Sequence, residues 1–204
     1  MPLARSRFTT KELSMETWAD FERLFNKPGE WGVCWCTYYQ RRRPLPRSET
    51  SGHTLDERRN RNRMDQKELV EEGRSHGIIV YSGDEPVGWV QYGPKEELPR
   101  IDGGRKYGKL GLGIEAKLWR ITCFCVDRRF RSQRVASAGL AASLQSIRNR
   151  GGGTVEAYPV TRRGALAAWF GTVSMFRRHG FDAVAPFGKN NVVMRKKIRG
   201  LGAP

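Results

Sequence analysis

The stretch Trp119-Arg-Ile-Thr-Cys-Phe-Cys-Val-Asp-Arg-Arg-Phe-Arg-Ser-Gln-Arg-Val-Ala136 decides how the rest of the chain is read. Leu118 to Val126 is an apolar run and the best candidate for a central strand. Asp127-Arg-Arg-Phe130 is a short basic turn, and Arg131-Ser-Gln-Arg-Val-Ala136 opens a helix. The first turn of a helix leaves backbone N–H groups unpaired, and its dipole favours anions. Arg128, Arg129, Arg131 and Arg134 add positive charge at the same place. Two readings fit these residues: a cradle for phosphate, or a basic turn that faces water.

Downstream, Arg134 to Arg150 reads as a helix with Ala136, Leu140, Leu144 and Ile147 on one face. Gly151-Gly152-Gly153 stops it. Thr154 to Val160 reads as a strand, Ala165 to His179 as a helix ending at Gly180. Phe181 to Val184 and Asn191 to Ile198 read as a closing hairpin. Upstream, His76 to Tyr81 and Pro86 to Tyr92 flank Ser82-Gly83-Asp84-Glu85, a hairpin signature. Residues 93–117, rich in Gly, Lys and Glu, read as a long loop.

The N-terminal part reads as two helices around an aromatic segment. Ser14 suits an N-cap, Leu13 and Trp18 stand as a hydrophobic staple, and Trp18, Phe21, Leu24 and Phe25 recur at helical spacing up to Pro28-Gly29. Trp31-Gly-Val-Cys-Trp-Cys-Thr-Tyr-Tyr39 follows, then a loop over 44–54. Leu55 to Glu72 is a mostly polar helix with Met64, Leu69 and Val70 as sparse anchors. The order predicts a mixed α/β domain with one layered sheet.

Composition narrows the function classes. The chain has 204 residues, with 37 Lys+Arg against 21 Asp+Glu, a net charge of +16. Six Trp, nine Phe and six Tyr argue against disorder. No stretch approaches the roughly 20 apolar residues of a membrane span. Met1 to Arg7 lacks an apolar signal core, and four cysteines do not make a disulfide scaffold. These features predict a soluble cytoplasmic protein that meets something anionic: a phosphate-bearing cofactor, nucleic acid or an acidic surface. A solubilising face is the preferred reading of the excess charge, because no nucleic-acid motif is visible and the aromatics do not interleave with the arginines. The oligomeric state stays open, a homodimer among the readings.

The strand, basic turn and helix resemble motif A of the GCN5-related N-acetyltransferase (GNAT) superfamily, whose turn reads Arg/Gln-x-x-Gly-x-Gly/Ala. Arg131 stands at its first position and Ala136 at its last. Residues 76–92 resemble the family's second and third strands, Thr154 to Val160 its fifth, and Gly171-Thr-Val-Ser-Met-Phe-Arg-Arg-His-Gly-Phe181 the end of motif B. The resemblance implies a mixed central sheet of six to seven strands with helices on both faces. It implies one acetyltransferase-like domain over 1–204, with helices of 14–75 bordering the acceptor site and a cofactor-binding core at 76–198. It implies acetyl-CoA as donor and a primary amine, of unknown identity, as acceptor.

The resemblance places the cofactor on Phe124, Cys125, Val126, Arg131, Ser132, Gln133, Arg134, Val135 and Ala136, with Ser174 and Phe176 from motif B. The amides of Cys125 and Val126 would polarise the thioester carbonyl, and the fourth and fifth strands would splay. Three residues depart from the family pattern. Arg134 replaces the middle Gly of the turn, Phe176 stands where many members carry a Tyr acid, and Arg120 stands where several carry a Glu base. Glu156 and Glu115 are the candidate bases, each equally readable as a surface carboxylate, and Tyr158 the candidate acid. Trp31, Trp35 and Tyr38 read as an acceptor wall or as packing, while Trp89, Trp119 and Trp169 read as core. His179 reads as a helix-end cation. Cys34-x-Cys36 and Cys123-x-Cys125 lack the wider spacing of structural zinc pairs and read as buried free thiols, with no metal. The alternative to an enzyme is a catalytically silent domain of this type that binds CoA or an anionic macromolecule such as RNA.

Overall fold

The computed structural model describes residues 7–27, 33–47, 51–113, 115–162 and 167–202. In chain order its elements are β1 (Thr9–Glu12), α1 (Trp18–Phe25), α2 (Leu55–Glu71), β2 (His76–Ser82), β3 (Glu85–Pro94), a helical turn α3 (Arg105–Gly108) and β4 (Leu118–Val126). Then come α4 (Val135–Asn149), β5 (Gly152–Ala157), α5 (Ala167–Phe170), α6 (Val173–Arg178), β6 (Asp182–Phe187) and β7 (Asn191–Arg199). The strands form one seven-stranded sheet in the order β1-β2-β3-β4-β5-β7-β6. All pairs are antiparallel except β4 with β5, the two strands joined by the α4 crossover. This is the mixed α/β sheet that the sequence predicts.

Two apolar clusters cover the two faces. Val90, Ile121, Phe124, Val155, Leu140 and Ile147 gather between the sheet and α4. Trp18, Phe21, Phe25, Trp35, Trp89 and Cys125 gather on the other face beneath α1. Alternation along β4 would send neighbouring residues to opposite faces, but Ile121 and Phe124 share one. The register explains it: Tyr92 pairs with Ile121 and Gln91 with Cys123, so Thr122 is an extra residue, a β-bulge. After the bulge, Cys123 and Cys125 point to the α1 face.

α4 lies close to the sheet because two glycines clear the way. A Cβ on Gly88 would stand 2.4 Å from Val135 Cγ1, and one on Gly139 would stand 2.5 Å from Val90 Cγ2. Glycine is a poor helix former, so its place in mid-helix reflects this contact rather than propensity.

The structure departs from the sequence reading in four places. β1 was not predicted; its four residues are all exposed and carry no alternating apolar signal. α2 buries Asn62, Gln66 and Val70, whereas Met64 is exposed. The seam is polar because it serves an irregular turn: Asn62 Nδ2 donates to Val33 O at 2.7 Å, and Gln66 Nε2 to Ser75 Oγ at 2.8 Å. The helix expected over 165–179 is two short helices, broken at Gly171 with φ 71° and restarted by Thr172, whose hydroxyl accepts from Met175 N–H. The strand expected to reach Val160 ends at Ala157, and Val160 makes only isolated bridges to Thr172 and Asn191. The expected helix stop at Pro28-Gly29 and the residue Trp31 lie outside the described residues, as does part of the 165–179 segment.

Gly139→Ala tests the close approach. Helix propensity would favour Ala by about 1 kcal/mol, but overpacking against two stiff valines costs about 1–3 kcal/mol. The expected result is a net loss of about 1 kcal/mol in urea unfolding; a gain in stability would remove Gly139 as the spacer.

Candidate active site

β4 and β5 pair only from Leu118 with Thr154 to Ile121 with Ala157. Beyond that point β4 continues to Val126 with no strand on its β5 side, so the sheet parts there. The N–H of Asp127 bonds to Val87 O of β3 at 2.9 Å. Backbone groups alternate sides along a strand, so Phe124 and Val126 turn their N–H and C=O toward the opening. The Cys125 amide faces β3 instead, which corrects its expected role beside Val126.

The parted end opens into a cleft of about 900 Å³. Phe124, Cys125, Val126, Arg131, Ser132, Arg134, Val135 and Ala136 line it, as the sequence reading groups them. Trp169, Gly171, Thr172 and Met175 form the opposite wall, so Trp169 is half-buried at the cleft rather than deep in the core. Three predicted cofactor residues are not on the lining. Gln133 turns back to donate to Arg129 O at 2.8 Å. Ser174 is exposed and bonds Thr172 Oγ1 at 3.2 Å. Phe176 is fully buried, its ring edge-on to Phe124 and Phe181.

The floor of the cleft is the start of α4. No side chain caps this helix at Arg134, so its first amides remain open to a ligand. Ser132 and Arg134 both adopt left-handed backbone, with φ 62° and 70°. The turn therefore keeps the shape a Gly would favour, with Arg in its place, at about 1–2 kcal/mol per such residue. The Arg134 side chain is exposed at the rim and does not plug the turn. Arg131 Nε donates to Val126 O at 3.3 Å. Arg129 points elsewhere: with Lys27 it clamps buried Asp127, at 2.7 and 2.6 Å, and Asp127 accepts the Arg129 N–H at 3.0 Å. Bonding to Arg129, helped by Lys27, holds the Asp127 carboxyl well below its usual range despite its burial. The clamp fixes the turn between β4 and α4.

His179 also lines the cleft, and its Nε2 lies 2.8 Å from Ser137 Oγ. Burial, then Lys196 and Arg178, lowers its pKa, so it is neutral near pH 7 rather than the cation expected at a helix end.

The candidate bases occupy a different place, on the face away from α4. Glu156 is fully buried, next to Arg120 across the β4–β5 pair. It accepts from Tyr107 Oη at 2.8 Å, from Tyr158 Oη and from Arg195 Nε at 2.7 Å. Glu115 accepts from Thr154 Oγ1 at 2.8 Å and pairs with Arg195 at 3.4 Å. Burial, reinforced by the Glu156 charge, raises the Tyr158 and Tyr107 pKa values, so both phenols keep their protons. Arg120 forks onto Asp102 at 2.8 and 2.6 Å and donates to Leu98 O at 3.0 Å. It ties the 95–107 segment to the sheet, a job unlike that of the Glu the family pattern suggested. Neither Glu156, Glu115 nor Tyr158 lines the cleft.

Of the aromatic wall, Trp35 is 1% exposed and packs on Trp18, Phe21 and Phe25, which makes it core. Tyr38 is exposed beneath the Arg100 guanidinium, 3.8 Å from its ring centre, on a second cavity of about 370 Å³. Arg41, Arg58 and Arg61 share that cavity. Sequence reading missed it, since α2 and the 33–45 segment meet only in the fold. The hydroxyls of Ser137 and Thr172 and the ring of His179 were missed in the cleft for the same reason. Among the described residues, no helix is long and apolar enough to cross a membrane.

The Acetyltransferase (GNAT) family profile matches residues 19–181, and the chain belongs to that family. No curated protein sequence matches it significantly. Among solved structures, a Desulfovibrio desulfuricans protein described as a GNAT-family acetyltransferase shares 16% identity with a TM-score of 0.53, over 93% of this chain and 98% of that one. The Salmonella typhimurium protein yncA, solved with its cofactor acetyl-CoA, shares 12% identity with a TM-score of 0.53, over 98% of both chains. The ribosomal-protein-S5-alanine acetyltransferase of Vibrio fischeri shares 9% identity with a TM-score of 0.51, over 96% of this chain and 95% of that one. At such identities the likeness concerns the fold.

Glu156→Gln should destabilise the fold by about 2 kcal/mol in denaturant unfolding, because a charged hydrogen bond to half-buried Arg195 is lost; an unchanged midpoint would remove Glu156 as the anchor. His179 predicts a pH effect. Its folded pKa lies below its ordinary value of 6.5, so the unfolded chain binds more protons in between. Stability should therefore fall as pH drops through that window, and His179→Gln should flatten the fall when Tm is followed against pH.

Proposed function

We propose that the chain is an acetyl-CoA-dependent N-acetyltransferase acting on a primary amine. The single observation that carries this reading is a sheet parted after Ile121 and Ala157, over an uncapped helix start flanked by Arg131 and Arg134. The cofactor supplies an acetyl group activated as a thioester. The first amides of α4, with Arg131 and Arg134, would hold its diphosphate. The Val126 N–H, turned into the opening, would polarise the carbonyl, a contribution that can rival any side-chain base. Trp169, Met175 and Val126 line an apolar wall that keeps water from the thioester.

Proton removal follows from what the cleft contains. Among the described residues that line it, no Asp or Glu is present. Glu156 and Tyr158 satisfy each other outside it. His179 also lines the cleft but has its Nε2 engaged with Ser137 Oγ at 2.8 Å, so on this reading the amine reacts from its neutral form and its own pKa governs the rate.

A thermal shift with acetyl-CoA tests cofactor binding, and thiol release over a panel of amines tests turnover. Binding with turnover that rises with pH toward the acceptor's pKa is expected. Binding without turnover on any amine would support the silent-domain reading, and no shift at millimolar acetyl-CoA would sink the enzyme reading and leave only a silent domain that binds an anionic macromolecule. Arg134→Ala and Arg134→Gly should each weaken acetyl-CoA about tenfold, as loss of one phosphate contact implies. Arg134→Gly should also raise Tm, since it relieves the left-handed backbone. Tighter binding by Arg134→Gly would show that the arginine crowds the phosphate.

A further inference from the structure

Cys36, Cys123 and Cys125 come from two distant parts of the sequence, yet their sulfurs all lie within 4.8 Å of one another. We propose that these three thiols bind one thiophilic d10 cation, Zn2+ in the first instance, on the α1 face of β4. Cys125 borders the cleft of the acetyl-transfer reading, but none of the three sulfurs takes part in its chemistry, and the inference stands apart from it.

Four observations converge. The donor set is three cysteine sulfurs, the ligand type that selects soft or borderline cations. Strand alternation sets Cys123 and Cys125 on one face, the Thr122 bulge makes that the α1 face, and Cys36 is brought to them from a turn. That turn is strained: Trp35 and Cys36 both have left-handed backbone, with φ 44° and 59°, and neither is Gly. The turn is also held at its tip. Gln91 Nε2 donates to Cys36 O at 2.7 Å, and Trp89 Nε1–H donates to Cys36 Sγ at 3.1 Å. A donor aimed at sulfur supports a thiolate, as the outer shell of a metal site does.

The odd number of thiols argues against a purely disulfide role. Cys123 and Cys125 stand two apart on a strand, too far for the close Cβ approach a disulfide needs. Cys34 is outside the trio. It lines the separate arginine-rich cavity and makes a natural control. Cys36 and Cys125 are buried and Cys123 is half-buried. Binding replaces three S–H protons, which leave to solvent, by three metal–sulfur bonds, with the fourth position open to an external ligand. The ion would pin the 33–41 turn to β4 beside the parted end, since Cys125 also lines the cleft.

The test uses the full chain, reduced, stripped with a chelator under anaerobic conditions and titrated with Co2+. The expected result is one Co2+ per chain, with thiolate-to-cobalt charge-transfer and tetrahedral d–d bands that one equivalent of Zn2+ displaces. Cys123→Ser and Cys125→Ser should each weaken Co2+ by about 100-fold or more, with far-ultraviolet circular dichroism confirming that they fold. Cys34→Ser should retain wild-type affinity. No charge-transfer band, or a natively isolated chain lighter by two hydrogens and unable to take metal until reduced and then still silent, would overturn the proposal. Equal loss in Cys34→Ser and Cys123→Ser would overturn the assignment of the three ligands.

Discussion

Backbone hydrogen bonding sets the terms for this fold. A strand interior to a sheet normally satisfies both its edges, and β4 does so only up to Ile121. From there to Val126 one edge is left open in the middle of the molecule rather than at its rim. The structure is arranged around that opening. The crossover through α4 brings a helix start to it, α5 and α6 roof it, and the Asp127 clamp with Lys27 and Arg129 fixes its corner. Two glycines let α4 sit close enough for the helix start to reach the opening.

Charge divides the molecule into two jobs. On the cleft side, Arg131 and Arg134 are exposed and line the opening. On the opposite side, Arg120 and Arg195 are drawn inside and matched with Asp102, Glu156 and Glu115. Breaking a buried pair leaves an uncompensated charge, so this second group holds the 95–113 segment in place rather than offering reactive groups. The net charge of +16 alone distinguishes neither job from a solubilising surface.

Much of the fold is legible in the sequence because its apolar runs have clear periods. Leu118 to Val126, the His76 to Tyr92 hairpin and the helix after Arg134 all fall where alternation and helical spacing put them. β1 is illegible because an exposed edge strand carries no apolar pattern. The break at Gly171 is hidden because helical residues continue on both sides of it. For the site, the motif around 124–136 marks half of the cleft lining, since strand, turn and helix are contiguous. Glu156 and Tyr158 mislead because alternation tells which face a residue takes, not which partners await it there. Spacing of the cysteines likewise says nothing of the Thr122 bulge that chooses the face of one pair, or of a turn that carries Cys36 to meet it.

The polar docking of α2 has a consequence for how the protein can diversify. Asn62 and Gln66 hold this helix by side-chain amides, and Val70 is its sole buried apolar residue. Little of the apolar core resides there; Arg59 and Arg63 also tie the helix to α1, whereas Arg58 and Arg61 face the second cavity. The wall bearing Arg58 and Arg61 is thus a graftable plate: it can acquire a new partner preference while the machinery beneath it stays unchanged.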